Sequence, residues 1–351
     1  MNRFYQLAAP GAVALIVAIA LFPAAQRAAA QLAPREPISV VGSEAVFPLA
    51  VAAAERFSVK LDRPMPVVER TGTARGFGLF CVDRGAQYPD VATAERRMTR
   101  AELGACSRKR IAVSEVKIGF QAVALAQAPS AVPLGLSRRQ IFLALARQVP
   151  IDGRLVTNPY RLWSDIDFAL PVTPIEFFGP PPTSPLWDSF IDLMMAAAAN
   201  DFPELRGWTA EQRTVLAGAL RDDGVFAMLG EDEDSVALEV ARRPQALGIF
   251  SFNFVQADRG RRLRGVAVDG VVPSLPAIAE GSYAPARPLY LYVKPTHAAA
   301  IPGLKDYLAE IMSEAASGPG GYLVDRGLVP LPPGERAALA DGAGGLTPLR
   351  M

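Results

Sequence analysis

The stretch FGPPPTSPLWDSF at 178–190 sets two hydroxyl-bearing residues at the mouth of a helix. Pro180, Pro181 and Pro182 stiffen the approach, Thr183 and Ser184 follow, and the apolar run IDLMMAAAAN continues beyond. Pro185 suits the first helical position, where its fixed φ fits and its missing N–H would have had no helical partner. A serine before it caps the helix by accepting a bond from a free backbone N–H. The same hydroxyl, with unpaired N–H groups and the positive end of the helix dipole, can hold an oxyanion. The residue pattern leaves cap and socket both open.

Other chemistries are poorly served. The chain has no GxSxG, HExxH, GxxxxGKS or CxxC, and its single histidine, His297, supports neither a triad nor an ordinary metal centre. We therefore expect no enzyme, no cofactor and no metal. The run GEDEDS at 230–235 is acidic but lacks the twelve-residue calcium loop pattern, and reads as a solvated helix start. With 36 basic and 35 acidic residues and no long basic run, nothing in the charge asks for nucleic acid.

These residues need a scaffold, and the chain supplies α/β alternation over 351 residues, a length that favours two domains. A strand through Val40 and Val41 turns at Gly42–Ser43 into a helix over Phe47–Phe57. PMPVVERTGTARGFGLFC repeats the pattern around a Thr-Gly-Thr turn, and YPDVATAERRMTRAELGAC gives a third unit with its strand ending near Ala92. Three turns then lie at the carboxyl ends of parallel strands, where open α/β sheets take ligands. IAVSEVKIGFQAVALA reads as a buried strand, and GLSRRQIFLALARQV as a helix capped by Ser137. TPIEFFG, ALGIFSFNF and RPLYLYV read as later strands. His297 falls in a loop or helix start, IPGLKDYLAEIMSEA is a helix, and the Pro-rich end is a wrap-around tail.

Arg3, the apolar run from Leu7 to Ala25, and Ala28 to Ala30 describe a secretory signal over residues 1–30, cut after Ala30. A retained anchor is the alternative, although Pro10 and Pro23 interrupt the run. Export gives Cys81 and Cys106 an oxidising compartment, where an isolated pair reads as one disulfide. Closing a loop of about 26 residues would contribute roughly 3–3.5 kcal/mol. Two buried thiols are the alternative.

GSEAVFP, TGTARGFGLFC, PDVATAERR, FGPPPTSPLWDSF, LRDDG, ALGIFSFNF, RPLYLYVK and GYLVDRGLVPLP occur in the order found in bacterial periplasmic phosphate-binding proteins. The resemblance covers nearly all of residues 37–335. It implies an α/β type II periplasmic binding protein fold, with two α/β lobes and a ligand cleft between them. Lobe 1 would hold residues 31–119 and 285–351, and lobe 2 residues 120–284. The function implied is capture of phosphate or another small anion in the periplasm by a monomer that delivers it to an ABC permease of the inner membrane.

Carried onto this chain, the resemblance puts ligand contacts at Ala45, Val46 and Phe47, at Thr73 before Ala74-Arg75-Gly76, at Glu95 and Arg96, and at Ser184, Leu186 and Trp187. The positions depart from the family pattern. Ala45 and Val46 bring no hydroxyl, Arg75 interrupts a glycine run, and Glu95 stands where a serine is usual. Leu186 removes a threonine hydroxyl, and Trp187, which core packing also explains, replaces a residue that is often arginine. Arg75, Arg96, Arg97 and Arg221 can compensate by gripping an oxyanion, although Arg96 can also pair with Glu95. Hydrogen bonds to a charged group contribute roughly 1.5–3 kcal/mol each. Losing three or four would move a micromolar site toward about millimolar or weaker. An accessory or sensory protein of the same fold, acting through protein contacts, is the alternative function.

Overall fold

The computed structural model describes residues 37–342 and 346–349, so the expected signal segment lies outside the described residues. The strands among them are β1 (Ser39–Gly42), β2 (Val67–Arg70), β3 (Val91–Ala94), β4 (Ser114–Gln127), β5 (Gly135–Leu136), β6 (Gln148–Ile151), β7 (Arg154–Thr157), β8 (Phe177–Gly179), β9 (Phe226–Met228), β10 (Leu247–Ser251), β11 (Arg264–Gly265), β12 (Ala267–Val268) and β13 (Ala286–Val293). The large curled sheet runs β2-β1-β3-β13-β4-β10-β8-β9, with β11 also on β4.

The three strand–turn–helix units form as their patterns dictate. β1 pairs in parallel with β2 on one side and β3 on the other. The helices Phe47–Leu61, Thr73–Phe80 and Arg100–Arg108 follow β1, β2 and β3 in turn. Strand order therefore reverses beside β1, which makes the carboxyl ends of β1 and β3 a crevice suited to a ligand.

β4 joins the two ends of the sheet. Residues 114–122 pair antiparallel with β13, and 123–126 pair antiparallel with β10. Its start alternates buried and half-buried side chains, while its end is buried on both faces, as its sequence of alternating then continuous apolar residues requires. Gly119 lets a second segment approach: a Cβ there would meet the Val329 carbonyl oxygen at 2.7 Å. Phe120 and Val329 exchange both backbone bonds, at 2.9 and 2.8 Å. The cores divide along the same line. Ile38, Leu49, Phe57, Leu291, Tyr307 and Ile311 pack together on one side. Phe142, Trp163, Phe177, Phe190, Met194 and Ile249 pack together on the other.

Several local expectations change. The helix opened by Ser137 ends at Leu145, because QVPIDGRLVT folds back as the β6–β7 hairpin. Asp152 and Gly153, both at positive φ, form its turn, the usual Asp-Gly signal. ALGIFSFNF is strand only to Ser251. There the Ser251 hydroxyl accepts the Phe254 N–H and starts the helix Phe252–Asp258. His297 does stand at a helix start, in Pro295–Ala300, but fully buried, with Nδ1 2.6 Å from Asp90 Oδ1 and Nε2 2.9 Å from the Arg84 carbonyl, and ties that helix to the start of β3. The Pro-rich end includes a helix, Pro333–Gly342. The sulfurs of Cys81 and Cys106 lie at bonding distance, with Cα atoms 4.5 Å apart. Among the described residues no helix is long and apolar enough to cross a membrane.

Candidate functional site

The first turn is set by Gly42, whose φ of +136° and closeness to β3 leave no room for a side chain. A Cβ there would stand 2.1 Å from the Thr93 carbonyl oxygen. Ser43, buried next to it, accepts the Ala45 N–H at 3.1 Å and donates its hydroxyl to Glu95 Oε2 at 3.0 Å. Val46 is wholly inside the core, whereas Ala45 and Phe47 are half-buried at the helix start. The Arg70 guanidinium lies 4.9 Å from the Phe47 ring centre.

The second turn docks on the first, since the N–H groups of Thr71 and Gly72 both donate to the Gly42 carbonyl at 3.0 Å. Thr73 opens the next helix, and its Oγ1 is buried with no hydrogen-bond partner among the described residues. Such a group costs roughly 1–3 kcal/mol unless an acceptor arrives. Arg75, two residues on, is exposed.

At the end of β3, Glu95 faces inward to Ser43 and to Arg287, whose Nη1 is 3.2 Å away. Arg96 does not pair with Glu95. Its Nη1 and Nη2 donate to Glu102 at 2.9 and 2.8 Å, because Glu102 closes the capping box of the next helix and stands within reach. The bond from Arg96 is the main cause that holds the Glu102 carboxyl down at about 2. Arg97 pairs with Glu115 at 3.3 Å.

Ser184 is the cap that its sequence promised, accepting the Leu186 N–H at 3.2 Å. Leu186 and Trp187 pack on the second core, with the Trp187 ring 5.9 Å from Phe226. The helix is α-wound over Pro185–Phe190, then π-wound over Ile191–Ala196. Arg221 belongs elsewhere: it is 4% exposed, and its donors go to Asp223 and to the carbonyls of Ala144 and Tyr160. Those bonds commit four of its five N–H groups to partners inside the fold.

Two charged residues that sequence reasoning passed over complete the cluster. Arg287, at the start of β13, donates Nε to Gln121 Oε1 at 2.9 Å and brings Nη1 within 3.5 Å of Asp192 Oδ2. Asp192 belongs to the π-wound turns, and its burial pushes the carboxyl up against the opposing pull of Arg287. Arg287 was visible as the charge heading the apolar run RPLYLYV, whereas Asp192 carried no signal beyond an acid in an apolar helix. The geometry thus joins the turns after β1 and β3 to Arg287 and to the helix that starts at Ser184. Arg287, Glu95 and Asp192 stand together, and the turn before Thr73 docks on Gly42, next to the Ser43 that holds Glu95. Among the described residues no group of histidine, cysteine and acids could hold a metal ion.

Residues 25–315 match the family model for the PBP superfamily domain. The protein SphX of Synechococcus elongatus is 26% identical over 283 residues, covering 79% of this chain and 72% of its own. A solved structure described as a possible phosphate binding protein from Planctomyces limnophilus superposes with a TM-score of 0.66 at 20% identity, over 89% of this chain and 99% of that one. PstS from Borrelia burgdorferi gives 0.56 at 14% identity, over 86% and 99%. The chain therefore belongs to the PBP superfamily, a family of solute-binding proteins, and carries the type II fold of two α/β lobes about a cleft.

Proposed function

We propose that this is an exported periplasmic solute-binding protein that captures phosphate or a related oxyanion and delivers it to an ABC permease. Residues 31–119 and 285–351 form one lobe, 120–284 the other, and the protein works as a monomer after cleavage near Ala30. The carrying observation is Thr73 Oγ1, a buried hydroxyl without a partner among the described residues, at a turn packed against the Ser43–Glu95–Arg287 cluster. An oxyanion supplies the missing acceptor and a further partner for the guanidinium. A ligand touching both lobes only when they are closed shifts the population toward closure by the difference in affinity.

Calorimetric titration with inorganic phosphate, sulfate and organic phosphates tests this, with solution scattering to follow closure. Heat and compaction with one of them are expected. Absence of both across the panel overturns the reading. Two carboxylates, Glu95 and Asp192, against one guanidinium favour the second reading, an accessory or sensory protein that acts through protein contacts.

A further inference from the structure

We propose that Arg287 is the cation that grips the anion in this cleft, and that Asp192 is a tethered carboxylate competing for it. The inference rests on the anion reading above and adds the pair of residues that sets its affinity. Arg287 sits opposite Gln121 in the β13–β4 register, and its Nε donates to that amide oxygen at 2.9 Å, which fixes the guanidinium plane. Nη1 meets Glu95 at 3.2 Å and Asp192 at 3.5 Å, while Nη2 has no protein acceptor among the described residues. A guanidinium held in plane with one side open is suited to the oxygens of a phosphate.

The two carboxylates are not equivalent. Glu95 is also held by the Ser43 hydroxyl at 3.0 Å, so it stays when a ligand arrives. Asp192 has a 3.5 Å approach to Arg287, longer than the roughly 2.7–2.9 Å of a close charge-assisted bond, and its side chain is 49% exposed. It is the contact that can yield. It also comes from the second core, on the stretch Ile191–Ala196, where the helix widens to π winding. Such turns are uncommon and concentrate at functional positions. Asp192 offers Arg287 what a free oxyanion offers, negative oxygens, but its local concentration does not fall on dilution. A ligand must outcompete it.

The test is calorimetry with inorganic phosphate on the full mature chain, comparing wild type with Asp192→Asn, Arg287→Gln, Arg287→Lys and Asp62→Asn. Asp62 is exposed at the far end of the helix Phe47–Leu61, so its variant removes one charge without touching the cluster. Expected is about fivefold or greater tightening in Asp192→Asn, from loss of a competitor and of a like charge. Asp62→Asn should change affinity less than about twofold at ordinary salt. Arg287→Gln should weaken binding at least about tenfold, and Arg287→Lys should fall between, since lysine keeps the charge but not the fork. Thermal unfolding of each variant checks the fold, and Arg287→Lys serves if the glutamine variant does not fold. Phosphate binding with equal affinity in wild type and Asp192→Asn overturns the competition alone. Binding unaffected by either Arg287 variant overturns the role of the cation. No binding of inorganic phosphate by wild type or any variant overturns this inference, whereas the anion reading falls only if sulfate and the organic phosphates also fail to bind.

Discussion

Arg96 and Glu102 form a two-pronged ion pair, Nη1 to Oε2 at 2.9 Å and Nη2 to Oε1 at 2.8 Å, just beyond β3. Glu102 also accepts the Thr99 N–H at 2.8 Å as half of a capping box. The arginine therefore supports a helix start. Arg96→Ala should lower stability by about 1 kcal/mol, on the scale of a lost cap, and leave phosphate affinity within about twofold. The carboxyl of Glu102, held at about 2 instead of its ordinary 4.5, contributes stability above pH 4.5 that is lost as pH falls toward 2. Acid unfolding followed by circular dichroism should be shallower over that window in Glu102→Gln. A phosphate affinity that collapses in Arg96→Ala would return this residue to the binding set.

Glu233 behaves in the opposite sense. It receives the Ser251 N–H at 2.6 Å and the Ser251 hydroxyl at 2.9 Å, yet burial outweighs both bonds and pushes its carboxyl up to about 7. A carboxyl whose folded value lies above its unfolded one stabilises the fold while neutral. Its contribution is full below about pH 4.5 and is lost as pH rises through 7. The loss is on the order of 3 kcal/mol at most, from about 1.4 kcal/mol per unit. Glu233→Gln, which keeps an acceptor for Ser251, should flatten the fall of thermal stability between pH 5 and 8. An unchanged slope would place the titrating group elsewhere.

Glu233 also shows where sequence reasoning stops. GEDEDS was legible as a helix start, and Asp232 is indeed the cap. Nothing in a run of acids says which one turns inward, because that depends on β10 arriving from elsewhere in the chain. The strand–turn–helix units were legible because periodicity and turn residues are local, and the capping serines Ser137 and Ser184 for the same reason. The Asp152-Gly153 turn was equally local, but the helical pattern read through Val149 ran over the start of its first strand. At the cleft, Thr73 and Glu95 stand on turns that the strands announce. Arg287 and Asp192 meet only because β13 crosses to β4 and a distant helix widens over Ile191–Ala196, relationships that no spacing encodes.

Cys81 and Cys106 join the end of the helix Thr73–Phe80 to the helix Arg100–Arg108, in an apolar cluster with Phe77, Phe80 and Tyr292. A bridge over 25 positions should contribute roughly 3 kcal/mol by restricting the unfolded chain. The double variant Cys81→Ala, Cys106→Ala should therefore unfold at lower denaturant, by about that free energy, and bind phosphate with affinity close to wild type. Thiol titration of the denatured, unreduced protein should find no free thiol. Two titratable thiols would mean the pair is reduced and would remove the stability difference.

Thr73 offers a trade between stability and binding. Its Oγ1 is buried without a partner among the described residues, so the hydroxyl is a liability to the fold until an acceptor reaches it. Thr73→Val keeps the branched shape and deletes the hydroxyl. Without ligand the variant should be as stable as wild type or more so, by about 1 kcal/mol, since an unsatisfied buried group is removed. With phosphate it should bind about tenfold or more weakly, because a hydrogen bond to a charged ligand contributes roughly 1.5–3 kcal/mol. Thermal shifts with and without phosphate read both halves at once: the curves of wild type and variant should cross as phosphate is added. If the variant loses stability and binds phosphate as wild type does, the hydroxyl is a structural group and the cleft takes its ligand without Thr73.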